Sequence, residues 1–409
     1  MCIRDRRVSE LYQKYGMDTL EASIDGILSA GEQRAREAVL ALPDGRWEAE
    51  DWMDNDGISD ELVRVHVVVT IKEDVMTIDY SGSSDQVAGP INLSFGMAQS
   101  AARICFKAIT TPHDPSNGGQ FRPLSVIARE GSLFNASYPA PVFTIWAGVM
   151  GVETIFKAFA KAFPELIPAG SGGDLGDPGF YGKEPVSGRQ VWHQTNAGVG
   201  WGARKNQDGI NTTQHISMCT VKNIPVEVIE SRLPVMVDRA ELRQDSGGPG
   251  TFRGGLGSVR EYRFLESFGA LTIVKKSRTS GFGLNGGKPG PKNLTILKPN
   301  TNRQNWKSDW ERDVIVYADN KKLYDEVPDD QEFCGMFRGE FHSGDVIIYL
   351  ADGGGGFGLP YERDAQKVQN DVIDGYVSME AALQEYGVVL TDDLAIDRES
   401  TAKQRRGSS

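Results

Sequence analysis

The run Gln244-Asp245-Ser246-Gly247-Gly248-Pro249 has the spacing of the nucleophile loop of chymotrypsin-like proteases. Acyl transfer by such a serine needs a general-base histidine that a buried aspartate orients. No Ala-Ala-His-Cys context precedes it, and Gln244 stands where glycine is expected. A turn built on glycines with positive φ accounts for the run more simply. Gly281-Phe282-Gly283-Leu284-Asn285-Gly286 satisfies the GxGxxG spacing. A dinucleotide site also needs a helix to start there, so that its N-terminus faces the pyrophosphate. Lys288-Pro289-Gly290-Pro291 follows instead, which starts no helix, and Pro289 after Lys288 removes a Walker A reading. Asp352-Gly353-Gly354-Gly355-Gly356-Phe357-Gly358 could cradle a phosphate through backbone N–H groups. A tight connection between a strand and a closing helix explains it equally well.

The histidines are His66, His113, His193, His215 and His342, and none forms a metal-binding HxxxH or HxH pair. His66 alternates with valines, as a residue on a sheet face does. His113 lies in a polar loop, and His215 and His342 carry no signal. His193 follows a glycine-rich stretch with Asp174 and Asp177, and a histidine with two carboxylates suits a divalent metal. Their separation and the lack of a helical frame weigh against that reading. Asp79-Tyr80-Ser81-Gly82-Ser83-Ser84-Asp85-Gln86 closes a strand and turns, and polar residues at strand ends often line a site. An Asx or Ser turn is the competing reading. Asn92 is placed to cap the next helix or reach the same pocket.

The elements that must position these residues have local signals. Residues 18–41 form an amphipathic helix through Leu20, Ile24, Ile27, Leu28, Ala35 and Val39. Residues 62–71 alternate with period two and pair with 76–80. Helices are expected at 94–109 and 144–163, and a short strand at 124–128. A functional or mobile loop is expected at 168–188. Strands follow at 191–193, 235–242, 259–265, 271–275, 294–297, 314–317 and 346–350. Helices at 363–374 and 378–386 close the chain, with Ser378 as an N-cap. The fold class is α+β, with mixed helices, antiparallel-rich sheets and a β-rich second half. The expected organisation is a non-native terminus at 1–6, an α+β domain at 7–188, a β-rich domain at 189–360, closing helices at 361–391 and a frayed tail at 392–409. Met1 to Arg6 holds no apolar signal segment, and a helical pattern starts at once, so the chain is expected to begin inside a larger protein.

Of 409 residues, 39% are hydrophobic and 24% charged, an ordinary globular composition with aromatics enough for a real core. No apolar run is long enough for a membrane span. The formal charge of −12 repels phosphate backbones and argues against nucleic-acid binding. Cys2, Cys105, Cys219 and Cys334 lie far apart, which suits a reducing cytoplasm. The 47 glycines exceed the usual share of roughly 7% and fall in clusters, so the clusters are the informative part.

Taken together, the clusters resemble the hydantoinase B/oxoprolinase family, from about residue 8 to 391. Four blocks carry the likeness in order. The first is Asp79 to Ser84 with Gln86 and Gly89-Pro90-Ile91-Asn92. The second is Asn117 to Pro123. The third is Arg243 to Gly250 with Arg253-Gly254-Gly255-Leu256-Gly257. The fourth is Gly353 to Gly358 with Glu362-Arg363-Asp364 and Tyr386 to Leu390. The resemblance implies the B component of an ATP-dependent cyclic-amide hydrolase in the cytoplasm. A partner subunit of hydantoinase A type would use ATP to phosphorylate the amide oxygen of a small cyclic amide, a hydantoin or 5-oxoproline. The B component would then let water open the ring at a divalent metal. Related ketone carboxylases use the same pair of components, and a non-catalytic fragment that only docks the A component is a third reading. The family's metal ligands, including a Gly-Gly-x-His-x-x-Asp motif, lie ahead of the first helix here, and the motif does not occur in this chain. The resemblance therefore implies no metal ligand in 1–409, and inactivity of the chain alone. Asp79, Ser81, Gln86 and Asn92 are expected to line the substrate side, with Asp174, Asp177 and His193 as weaker candidates.

Overall fold

The computed structural model describes residues 3–59, 61–173, 177–184, 187–195, 197–215, 223–273, 276–298, 300, 332–334 and 336–406. Three hydrophobic clusters organise them. The first lies under a sheet of order β1-β2-β3-β4. Its strands are β1 (Gly45–Met53), β2 (Val63–Lys72), β3 (Val75–Asp79) and β4 (Leu124–Ile127). β2 shows why: Val63, Val65, Val67, Val69 and Ile71 are buried, and the residues between them are half-buried. The side-chain period of two turns one face to the core. Three helices cover that core: α2 (Met17–Leu40), α3 (Phe95–Thr110) and α4 (Trp146–Ala162). α1 (Ile3–Tyr15) precedes them and buries none of its residues.

The β-rich half packs two sheets face to face. One has the order β11-β10-β13-β8-β7 and the other β12-β9-β5-β6. Their strands are β5 (Asp177–Lys183), β6 (Gln190–Gln194), β7 (Val235–Leu242), β8 (Ser258–Phe264), β9 (Phe268–Ile273), β10 (Leu294–Lys298), β11 (Glu332–Cys334), β12 (Met336–Phe341) and β13 (Val346–Leu350). Aromatic side chains join the sheets: Phe264 on β8 stacks on Phe341 of β12 at 4.7 Å, and Phe180 on β5 meets Tyr262 of β8 edge-on at 5.3 Å. Each such pair contributes about 0.5–1.5 kcal/mol beyond its burial. The short helix α5 (Val226–Arg232) closes one end through Ile229.

Between these bodies lies a bundle of extended segments outside the sheets, and the excess glycine is used there. Run 353–356 bonds to several neighbours at once. The Gly354 N–H donates to the Gly255 carbonyl, that of Gly355 to Gly170, and that of Gly356 to Lys288. In return the Gly354 carbonyl accepts from Gly248, and that of Gly355 from Ala203. Buried backbone must find such partners. The segments approach so closely that a Cβ at Gly354 would lie 2.0 Å from the Trp201 carbonyl oxygen, and one at Gly254 1.8 Å from that of Gly354. Glycine is required here by contact distance.

Helices α6 (Ala365–Ile373) and α7 (Met379–Tyr386) then fold back onto the bundle. Ser378 caps α7 by accepting from the Ala381 N–H, and Gly387 ends it with φ 62°. Arg363, 1% exposed, holds the closing segment by bonding Asp208 at 2.7 and 2.9 Å and Asp371 at 2.8 and 3.0 Å.

Several expectations change. Residues 177–183, inside the stretch expected to be a loop, form β5 and pair with β6 and β9, because the second sheet supplies partners on both sides. The tail expected to fray forms α8 (Arg398–Arg406), with Thr401 buried and Arg405 bonded to the Tyr386 and Arg363 carbonyls. The GxGxxG run starts no helix, in line with its Lys288-Pro289 continuation: Asn285 and Gly286 take φ 50° and 91° and turn the chain back into the bundle. The strand expected at 314–317 lies outside the described residues. Among the described residues no helix is long and apolar enough to cross a membrane.

Candidate functional site

The loop after β3 gathers the four residues expected on the substrate side. Asp79 ends β3 and accepts from the Ser81 N–H at 2.8 Å, an Asx turn. Gln86 Oε1 accepts from the Ser137 N–H at 2.8 Å. Asn92 is fully buried; its Nδ2 donates to the carbonyls of Val87, Gly89 and Pro141, and its Oδ1 accepts from the Val87 N–H. It staples the loop and caps no helix. The Ser81 hydroxyl, half-buried, makes no hydrogen bond among the described residues. The four thus share one stretch of chain, and three of them are committed to backbone.

Asp174 lies outside the described residues, and Asp177 opens β5 in a different sheet. His193 sits on β6 opposite Phe180. Its Nε2 is buried without a partner among the described residues, and burial together with Arg232 holds the ring below the usual histidine range. Ser246 is buried, donating to the Arg243 carbonyl and accepting from the Gly257 N–H, so it is a bundle fastener with no nucleophile geometry.

A different cluster is built where the first core meets the bundle. Glu153 is the one charged residue between Trp146 and Phe156 of α4, and it is 3% exposed. Its Oε1 accepts from Ser171 Oγ at 2.5 Å and lies 3.2 Å from His215 Nε2; its Oε2 lies 3.4 Å from Lys276 Nζ. Burial alone would raise this carboxyl, yet Lys276, His215 and Ser171 outweigh it and hold Glu153 at about 2. Lys276 is 1% exposed, donates to the Ser171 carbonyl at 2.8 Å, and sits at φ 58°, a left-handed conformation rare for a residue with a side chain. Such strain persists only where the surroundings enforce it. The next two residues supply that enforcement. Ser277 donates through N–H and Oγ to Asp54 Oδ2, both at 2.8 Å, and the Arg278 N–H donates to Asp54 Oδ1 at 3.1 Å. Asp54 follows β1 and Glu153 lies on α4, so one short segment from the β-rich half grips two elements of the first core.

Asp352 completes the cluster from the bundle side. It is fully buried, and neither carboxyl oxygen has a well-formed hydrogen bond, although the Gly281 and Gly353 N–H groups lie near. Burial drives its pKa well above the ordinary carboxyl value, against the opposing pull of Lys276 and Arg243. Its own N–H donates to Asn293 Oδ1 at 2.5 Å, and Asn293 Nδ2 donates to the Gly172 carbonyl at 3.0 Å.

Two openings reach this region. A pit of about 20 Å³, lined by Glu153, Ser171, Trp201 and Phe282 among others, has room for a single water. A cleft of about 570 Å³ lies between α7 and the turns around Pro249 and Pro289, a size that admits a small molecule. Gly290 lines that cleft and also lies against Asp352: a Cβ there would be 2.9 Å from Oδ1.

These residues do not fit a divalent ion. Among the described residues no three His, Cys, Asp or Glu side chains gather to hold one. Asp54 and Asp56 are filled by N–H and hydroxyl donors, and unpartnered Asp352 faces two cations.

The lone carboxylate in an apolar helix was a readable signal for Glu153. His215, Lys276 and Asp54 gave none, because their partners come from 60 to over 200 residues away.

Known proteins share this outline. The B component of a putative D-/L-hydantoinase from Pseudomonas sp. (strain NS671) is 30% identical over 414 residues, 98% of this chain and 65% of that protein. The beta component of the caprolactamase of Pseudomonas jessenii is 28% identical over 416 residues, covering 98% of this chain and 67% of its own length. This chain thus spans about two thirds of the length of these relatives. In structure it is similar to the ATP-dependent caprolactamase of Pseudomonas jessenii (TM-score 0.82, 24% identity, 98% of this chain and 66% of that one). It is also similar to a nucleotide-free acetone carboxylase (TM-score 0.76, 19% identity, 98% and 57%). The family described as Hydantoinase B/oxoprolinase matches residues 3–360, and the chain belongs to that family.

Proposed function

We propose that this chain is the greater part of the B component of an ATP-dependent enzyme that opens a cyclic amide by hydrolysis. The amide oxygen is phosphorylated first in an A-type partner, which uses the ATP. The B component then receives the activated ring and admits water. The observation that carries this reading is the likeness, over 98% of the chain, to the B component of a putative D-/L-hydantoinase. The likeness to the beta component of a caprolactamase supports a cyclic amide as the substrate class and a hetero-oligomer as the assembly.

Within this reading the loop 79–92 is a shaped wall on the substrate side. Asp79, Gln86 and Asn92 fix its backbone, and Ser81 presents a hydroxyl with no partner among the described residues. Asp174, Asp177 and His193 belong to a separate part of the chain.

A second reading, one component of an ATP-dependent ketone carboxylase, is favoured by the similarity in fold to acetone carboxylase. One experiment separates the two. The full-length B component is mixed with its A partner, ATP and either hydantoin or 5-oxoproline. Ring opening that needs ATP and no bicarbonate is expected; turnover that needs bicarbonate and a ketone would transfer the assignment to the carboxylase. A mixture inactive in both assays, with A and B still co-eluting, would leave docking as the role.

A further inference from the structure

We propose that Asp352 is a proton-loaded switch in the seam between the first core and the glycine bundle: neutral while the seam is closed, ionised when it opens. Three observations place it there. The side chain is fully buried, and both carboxyl oxygens lack a well-formed hydrogen bond. Its backbone is part of the seam, since its N–H donates to Asn293 and its carbonyl accepts from Gly200. Gly290, which lies against its carboxyl, lines the 570 Å³ cleft, so a small displacement there brings water to the group.

The charges that face Asp352 are Lys276, from the segment after β9, and Arg243, from the segment after β7. Neither is a free counter-ion. Lys276 is already paired with Glu153 of α4, is drawn also by Asp51 of β1, and donates to the Ser171 carbonyl. Glu153 in turn faces His215 and Ser171. The Arg243 Nη1 is committed to the carbonyls of Lys292, Leu350 and Ala351. An ionised Asp352 in the closed seam would therefore be a buried anion facing only the loosely placed Gly281 and Gly353 N–H groups and two cations committed elsewhere, a costly state. A neutral carboxyl avoids that cost, and burial supports it by raising the group's pKa.

The step balances simply. Opening admits water, the carboxyl O–H breaks, the proton leaves to solvent, and the carboxylate is hydrated. The closed form binds one proton more than the open form, so a rise in pH favours opening.

Hydrogen exchange of the whole chain tests this. Segments 281–293 and 351–358 are followed against pH, after correction for the intrinsic rate. The wild type is expected to exchange faster as pH rises, up to about tenfold per pH unit for release of one proton. Asp352→Asn, which keeps the shape and cannot ionise, is expected to show a flat profile. Identical profiles for the two proteins would overturn the proposal. Should the variant fail to fold, infrared spectroscopy of the wild type decides. A protonated-carboxyl band at neutral pH that is lost on raising pH, in step with the exchange, supports the switch; no such band sinks it.

Discussion

Two buried charge clusters hold this molecule together, and they differ in completeness. Around Arg363 the count closes: two guanidiniums, Arg363 and Arg253, face two carboxylates, Asp208 and Asp371. Arg363 makes bidentate contacts to Asp208, and its remaining donors reach Asp371 and the Thr251 carbonyl. At the seam the count does not close. Glu153 is matched by Lys276, His215 and Ser171, but Asp352 has no well-formed hydrogen bond and only cations shared with other partners beside it. A cluster whose charges balance fixes a geometry. An unsatisfied one marks a place where the fold tolerates a cost, and such places are often where something moves or reacts.

The difference can be tested from its strongest consequence downward. Arg363→Met should be the most damaging change, because it leaves Asp208 and Asp371 with only Arg253 as a counter-charge; removing one partner of a buried pair costs about 3–5 kcal/mol. Urea unfolding followed by fluorescence measures it, and a loss below about 1 kcal/mol would mean that water already satisfies the site. Glu153→Gln is expected to cost about 2–4 kcal/mol, since Lys276 then stays buried without its anion. The double variant with Lys276→Met should recover part of that loss, a coupling of about 1–3 kcal/mol; strictly additive losses would refute the pairing. The sign of the acid response is also fixed. Glu153 is held at about 2 when folded against an ordinary 4.5, so its stabilisation is present above 4.5 and is lost as pH falls toward 2. Thermal melts between those pH values should show a smaller decline for Glu153→Gln than for the wild type. Gln86→Leu removes one bond to the Ser137 N–H and should cost about 1 kcal/mol by the same melts. Asp352→Asn should change stability least at pH 5, by under about 1 kcal/mol, because a neutral acid and an amide are near in shape and polarity.

The regular elements were largely legible, because their signals are local. The alternation of β2, the amphipathic run of α2 and the Ser378 cap each lie within a window of a few residues. β5 was not, because Asp177–Lys183 reads as turn residues and becomes a strand only between β6 and β9. The seam was illegible for the same reason on a larger scale. Ser277 and Asp54 are 223 positions apart, and Lys276 and Glu153 are 123 apart. Asn92 was legible as important, but it caps no helix: its four bonds all go to the backbone of its own loop and of Pro141, which no residue type announces.

The sequence by itself determined the glycine clusters, and with them the family, because a close approach of backbones admits no side chain wherever it falls. It also determined the two faces of the strands and helices, since those follow from a fixed repeat. Only the tertiary structure decided which charges lost their water together. A carboxylate becomes costly or neutral according to what surrounds it in space, and at Asp352 those surroundings come from Arg243, from the stretch 276–281 and from the stretch 290–293.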